Sequence, residues 1–176
     1  MKKWLANKLL NAREQKRSRR VAVHTVHNSK RAIIMVGALK NNSPEASLKL
    51  MQWFKQHQID CDWLVYLPSK KIPAAWTPLP EKATPIDKKD LNWLNLPKSS
   101  RLQELLSTPY DMCICMDPDL SFGQEAVLRL SQAQFKIGHG PTNPSLDFII
   151  QYPPNTTGED WIRDLQHYLV SIKVNQ

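Results

Sequence analysis

The chain has 176 residues, of which 41% are apolar and 23% charged, with 13 prolines, 5 glycines and a formal net charge of +8. That composition excludes the disordered, collagen-like and disulfide-scaffold classes and predicts one ordinary globular domain around one core. The charge is unevenly placed: residues 1–20 carry Lys2, Lys3, Lys8, Arg13, Lys16, Arg17, Arg19 and Arg20 against the single acid Glu14, a net +7, leaving +1 for the rest of the chain. Charge concentrated in this way attracts polyanions such as RNA, DNA or an acidic membrane surface, and it specifies no reaction.

Residues 2 to about 20 are mostly good helix formers, with Trp4, Leu5, Leu9 and Ala12 falling near one side and basic residues covering the rest. Such a helix projects from the body or lies along it. Val21–Val26 alternates weakly and reads as a linker or an edge strand. Residues 1–29 are therefore expected to be a basic arm with its linker. No apolar run of signal-peptide length follows the basic residues, and no stretch approaches the roughly 18 apolar residues of a membrane span. Three cysteines, an odd number without recurring spacing, fit a reducing compartment, so the expected setting is cytosolic.

Residues 30–176 are expected to form one Rossmann-like α/β domain. Ala32–Gly37 is a short apolar run typical of a strand buried on both faces. Asn42-Ser43-Pro44-Glu45 opens a helix, with Ser43 as N-cap, Pro44 at the first helical position, and Leu48, Met51 and Phe54 facing inward as far as His57. Asp62–Leu67 is a second strand. Residues 68–99 break the rhythm, with Pro68, Pro73, Pro78, Pro80, Pro85 and Pro97 among Trp76 and Trp93. A long excursion is expected there, holding one short strand and packed on the body by its tryptophans. A helix at 100–107, a strand at 110–116, a helix at 122–133, strands at 135–138 and 147–151, and a helix at 158–173 capped by Thr157 follow. Strands alternating with helices give a three-layer sandwich with a mostly parallel sheet of about five strands.

Ligands of open α/β sheets bind beyond the carboxyl ends of the strands. The first such loop, Ala38–Ser43, holds Lys40 but no glycine-rich phosphate cradle. The third strand ends in Asp117-Pro118-Asp119-Leu120-Ser121, which places two carboxylates where an acid or a metal ligand could stand; Asp119 or Ser121 as a helix cap is the plainer reading. Gly138-His139-Gly140-Pro141 is the one glycine-flanked histidine, a candidate ligand contact or simply a turn. Cys113 and Cys115 share one strand face and read as buried, inert thiols. No nucleophile elbow, zinc spacing or metal set is present, so neither a cofactor nor a complete catalytic set is implied.

Tyr110–Asp117, the helix ending in Leu130-Ser131-Gln132-Ala133 and then Phe135-Lys136-Ile137-Gly138-His139 resemble a segment of heptosyltransferase-type glycosyltransferases. The resemblance covers about thirty residues and implies the fold; the loop after the first strand lacks that family's Gly-Asp turn. As a whole the chain is similar to an uncharacterised family of small α/β proteins typical of the Bacteroidota, with a basic N-terminal helix and a strand-loop-"FGxE"-helix middle, here Phe122-Gly123-Gln124-Glu125. The leading functional expectation is a non-enzymatic cytosolic protein that binds RNA or a ribosomal particle through Lys2, Lys3, Lys8, Arg13, Lys16, Arg17, Arg19 and Arg20. The alternatives are a degenerate glycosyltransferase-like enzyme or small-ligand domain using Asp117, Asp119 and His139, and a binder of acidic membrane surface. The plainest reading of the arm is a solvated helix that packs Trp4 and Leu9 on the body.

Overall fold

A computed structural model describes residues 2–38, 44–67, 69, 72–151 and 158–173. The elements run α1 (Lys2–Gln15), β1 (Arg31–Gly37), α2 (Glu45–Gln56), β2 (Asp60–Tyr66), β3 (Ala83–Ile86), α3 (Ser100–Ser107), β4 (Met112–Cys115), α4 (Phe122–Leu130), β5 (Phe135–His139), β6 (Phe148–Ile150) and α5 (Gly158–Ser171). One sheet has the order β3-β2-β1-β4-β5-β6, and every pair is parallel. This is the doubly wound arrangement, with its order reversing between β1 and β4. The sixth strand, β3, comes from the Pro/Trp-rich excursion and pairs with β2. Its Pro85 is tolerated because an edge strand can forgo a ladder donor.

Alternation along each strand builds the two cores. Ile34 and Val36 of β1, Trp63 and Val65 of β2 and Ile114 of β4 pack with Leu50 and Phe54 of α2 and with Trp161, Leu165 and Leu169 of α5. Ile33 and Met35, Leu64, and Cys113 and Cys115 face the other way, among Leu102 and Leu106 of α3 and Ala126, Val127 and Leu130 of α4. Both cysteines of β4 are buried, and burial pushes the Cys113 thiol up to about 12, so it stays neutral. The buried residues of α2 are Ser47, Leu50 and Phe54, whereas Leu48 and Met51 pack only at the core's margin. Pro44 precedes the first helical residue of α2; Ser43 and Thr157, the expected caps, lie outside the described residues.

The N-terminal helix does not project. Ala6 and Leu10 are buried in the second core beside α3 and α4, so the apolar face of α1 is the Ala6/Leu10 stripe. Trp4 (64% exposed) and Leu9 (41%) point away from it, contrary to the expected packing of those two side chains. Polar ties extend the same face. Arg13 donates to Pro97 O at 2.9 Å, and Arg17 donates to Gln103 Oε1 at 2.9 Å, to Leu106 O at 3.3 Å and to Leu130 O. Leu106 lies in the last turn of α3 and Leu130 ends α4, so one guanidinium caps two helix C-termini, where unpaired carbonyls and the helix dipole favour a cation. Arg19 grips Asp147 with both terminal nitrogens at 2.6 and 2.7 Å and donates to Ala133 O and Gln134 O. The buried Lys136 adds donations to Leu128 O and Arg129 O at 2.6 and 3.2 Å. Ala6, Leu10, Arg13, Arg17 and Arg19 thus pack and bond against the body.

The excursion is held less uniformly than expected. Trp76 is fully buried, but Trp93 is 67% exposed. It lies at the tip of a tight turn whose Leu91, Leu94 and Leu96 all enter the second core.

Candidate functional site

The switch point of the sheet lies where β1 ends at Gly37 and β4 leads into Asp117. Asp117 is buried, and its Oδ2 accepts from Gly37 N at 2.6 Å and from Gln124 Nε2 at 2.7 Å. Gln124 reaches this position because Ser121 and Gln124 form a capping box at the start of α4: Gln124 N donates to Ser121 Oγ, and Ser121 N donates to Gln124 Oε1 at 3.0 Å. The far end of the same amide then holds the carboxylate. Gly37 suits the close approach, since a Cβ there would stand 3.0 Å from Asp117 Oδ2 and 3.1 Å from Gln124 Nε2 and push both aside. Burial raises the Asp117 carboxyl to about 6, although both donors oppose the shift.

Asp117 is thus turned inward and held between the end of β1 and the start of α4; the loop after β1 that would face it lies outside the described residues. A small cavity beside it, lined by Met35, Tyr66, Cys115, Asp117, Gln124 and others, amounts to about 10 Å³, room for a single water. Asp119 is exposed and borders a separate surface hollow with Pro118, Glu125 and Thr142. His139 turns to the opposite side of the sheet: Nε2 donates to Met116 O at 2.9 Å and the ring lies 4.6 Å from that of Trp161. Its burial lowers the imidazole pKa, which favours the neutral ring. Asp117, Asp119 and His139 therefore share neither partners nor a cavity. Among the described residues, no three His, Cys, Asp or Glu side chains are grouped to hold a metal ion. Ser121, not Asp119, caps α4.

The eight basic residues of the N-terminal segment divide into two sets. Arg13, Arg17 and Arg19 are engaged with the body as described, and Glu14 is paired with Arg129. Lys2, Lys3, Lys8, Lys16 and Arg20 are exposed. Among them stand two large exposed aromatics. Lys8 Nζ lies 5.2 Å from the ring centre of Trp4, and Lys2 Nζ lies 5.9 Å from that of Trp93. Lys2 therefore joins the first turn of α1 to the tip of the 91–97 turn. Sequence reasoning missed Gln124 and Trp93. The Ser121-x-x-Gln124 spacing is a capping-box signal that could have found the first, whereas nothing in the linear pattern around Trp93 tells an outward ring from a packed one.

Fold and site together define a doubly wound α/β protein with an inward-held carboxylate at its switch point and a group of exposed cations on its N-terminal segment. The chain belongs to a family of unknown function (DUF6913), which matches residues 1–172. No curated protein matches it. A solved structure, that of an exopolyphosphatase-related protein from Bacteroides fragilis, is similar at 15% identity with a TM-score of 0.54 over 82% of this chain. That likeness supports the fold, and this chain spans only 41% of the other's length. No helix among the described residues is long and apolar enough to cross a membrane.

Proposed function

We propose that this protein is a non-enzymatic binder of RNA or of a ribosomal particle in the cytosol, attached through the outward face of α1. The observation that carries the reading is the division of labour among the basic residues. Arg13, Arg17 and Arg19 fasten the segment to the body, and the fastened segment presents Lys2, Lys3, Lys8, Lys16 and Arg20 to solvent. A fixed row of cations releases counterions from a phosphate backbone without a further ordering cost for its own backbone. The separate partners of Asp117, Asp119 and His139 disfavour the glycosyltransferase-like alternative. A membrane-surface role is disfavoured because Ala6 and Leu10 are turned inward, which leaves Trp4 and Leu9 as the large apolar side chains on an otherwise mostly polar outer face of α1.

The test uses the full chain and its Lys2→Glu/Lys3→Glu/Lys8→Glu variant, whose substitutions are at exposed positions. Binding of ribosomal RNA is measured across a salt series, with inorganic polyphosphate as a competing polyanion. If all five cations engage phosphates, log Kobs falls against log salt with a slope of roughly −3 to −4, and the variant loses most of its affinity. Equal binding by the variant refutes this assignment.

A further inference from the structure

We infer that Trp4 and Trp93, standing on either side of α1, are two base-stacking sites, and that the nucleic acid this protein takes is single-stranded. The inference rests on the reading that α1 binds RNA and names which form of it is bound. Its basis is the way the two rings are exposed. Three leucines flanking Trp93 are buried, and the turn that carries it is closed on both sides: Asn92 Oδ1 accepts from Leu94 N at 2.9 Å and from Leu96 N at 3.0 Å, Asn95 N donates to Asn92 O, and Leu91 bridges to Pro97. Asn95 adopts φ 59°, the left-handed conformation such a turn needs and asparagine tolerates. The ring is therefore held outward by a well-anchored frame. Trp4 is held outward likewise, because Ala6 and Leu10 fix which side of α1 faces the body.

The two frames are tied to each other. Arg13 of α1 and Gln103 of α3 both donate to Pro97 O at 2.9 Å, at the base of the Trp93 turn. Lys2 over Trp93 and Lys8 over Trp4 place one cation at each ring. Aromatic faces interleaved with lysines match the chemistry of a single strand, in which unpaired bases stack on rings while the backbone follows the cations. A duplex keeps its base faces internal and offers nothing to either tryptophan. A lipid surface would need a broad apolar area, whereas around Trp4 and Leu9 the exposed residues of α1 include Lys3, Asn7, Lys8 and Asn11.

The experiment compares a 12-nucleotide poly(U) RNA, a 12-base-pair RNA duplex and vesicles containing acidic lipid, each titrated against the full chain and its Trp4→Ala, Trp93→Ala and double variants. Circular dichroism checks that the fold is kept. The expected result is tighter binding of the single strand than of the duplex, quenching of tryptophan fluorescence on binding, and about a tenfold rise in Kd for each tryptophan removed. Trp4→Phe and Trp93→Phe should restore part of the affinity. If both alanine variants bind the single strand as the parent does, or the duplex is preferred, stacking is overturned, while salt-sensitive binding abolished by the Lys2/Lys3/Lys8 reversals leaves the RNA reading standing. Binding to vesicles but to neither RNA overturns both.

Discussion

At the scale of single residues, Asp117 couples the site to stability. An acid whose folded pKa is about 6, against an ordinary value near 4, is harder to ionise in the folded chain than in the unfolded one. The folded state then holds the proton longer, so its contribution is largest below about pH 4 and declines as pH rises through about 6. The change amounts to roughly 3 kcal/mol across that window. Asp117→Asn removes the titration while keeping an oxygen that can accept from Gly37 N and Gln124 Nε2. Urea unfolding should show parent and variant converging toward pH 4 and the variant gaining by pH 7; a constant difference between them would place the titration elsewhere. Gly37→Ala drives a methyl against the carboxylate and the amide that holds it, and a loss of about 1–3 kcal/mol is expected in the same assay.

At the scale of elements, the N-terminal segment acts as a clasp. Burial lowers the Arg17 pKa, yet its guanidinium stays charged and serves carbonyls from two helices together with Gln103. A lysine has one nitrogen and cannot reach all three acceptors. Arg17→Lys should therefore cost about 1.5–3 kcal/mol in urea unfolding, as a lost charge-assisted network does. Leu10→Ala should cost about 2–5 kcal/mol, because Leu10 is fully buried between α1 and the second core. Variants of the exposed Lys8 in the same helix should leave the unfolding midpoint within about 0.5 kcal/mol of the parent's. The contrast between the two faces of one helix is what identifies the clasp.

For the molecule as a whole, the segment proposed to bind RNA is also one that folding depends on. A chain beginning at Val21 would uncover Leu94, Leu102, Leu106 and Leu130 and leave two helix C-termini uncapped. It should aggregate or lose its cooperative thermal transition, so loss of binding by such a chain would say nothing about contact with RNA. Charge reversal on the outer face separates the two roles. The elements that proved legible were those with strong local signals. The apolar run Ala32–Gly37 is buried on both faces, and Ser99, at the head of the expected helix at 100–107, caps α3 by accepting from Leu102 N. The sixth strand was harder to place because four residues containing a proline carry almost no period, and they become a strand only by lying beside β2.

Alternating strand and helix patterns, the basic character of the first twenty residues and the candidacy of Asp117 were determined by the sequence alone, because periodicity, charge and turn chemistry are local properties. Which lysines and arginines remain available, whether Trp4 or Ala6 faces the core, and that Asp117 is held by Gly37 N and Gln124 Nε2 were decided only in three dimensions. Helical spacing names two competing faces for α1, and the choice between them rests on carbonyls at the ends of α3 and α4, some 90 to 115 residues away along the chain. A side chain's role follows from its partners, and here the partners are distant in sequence.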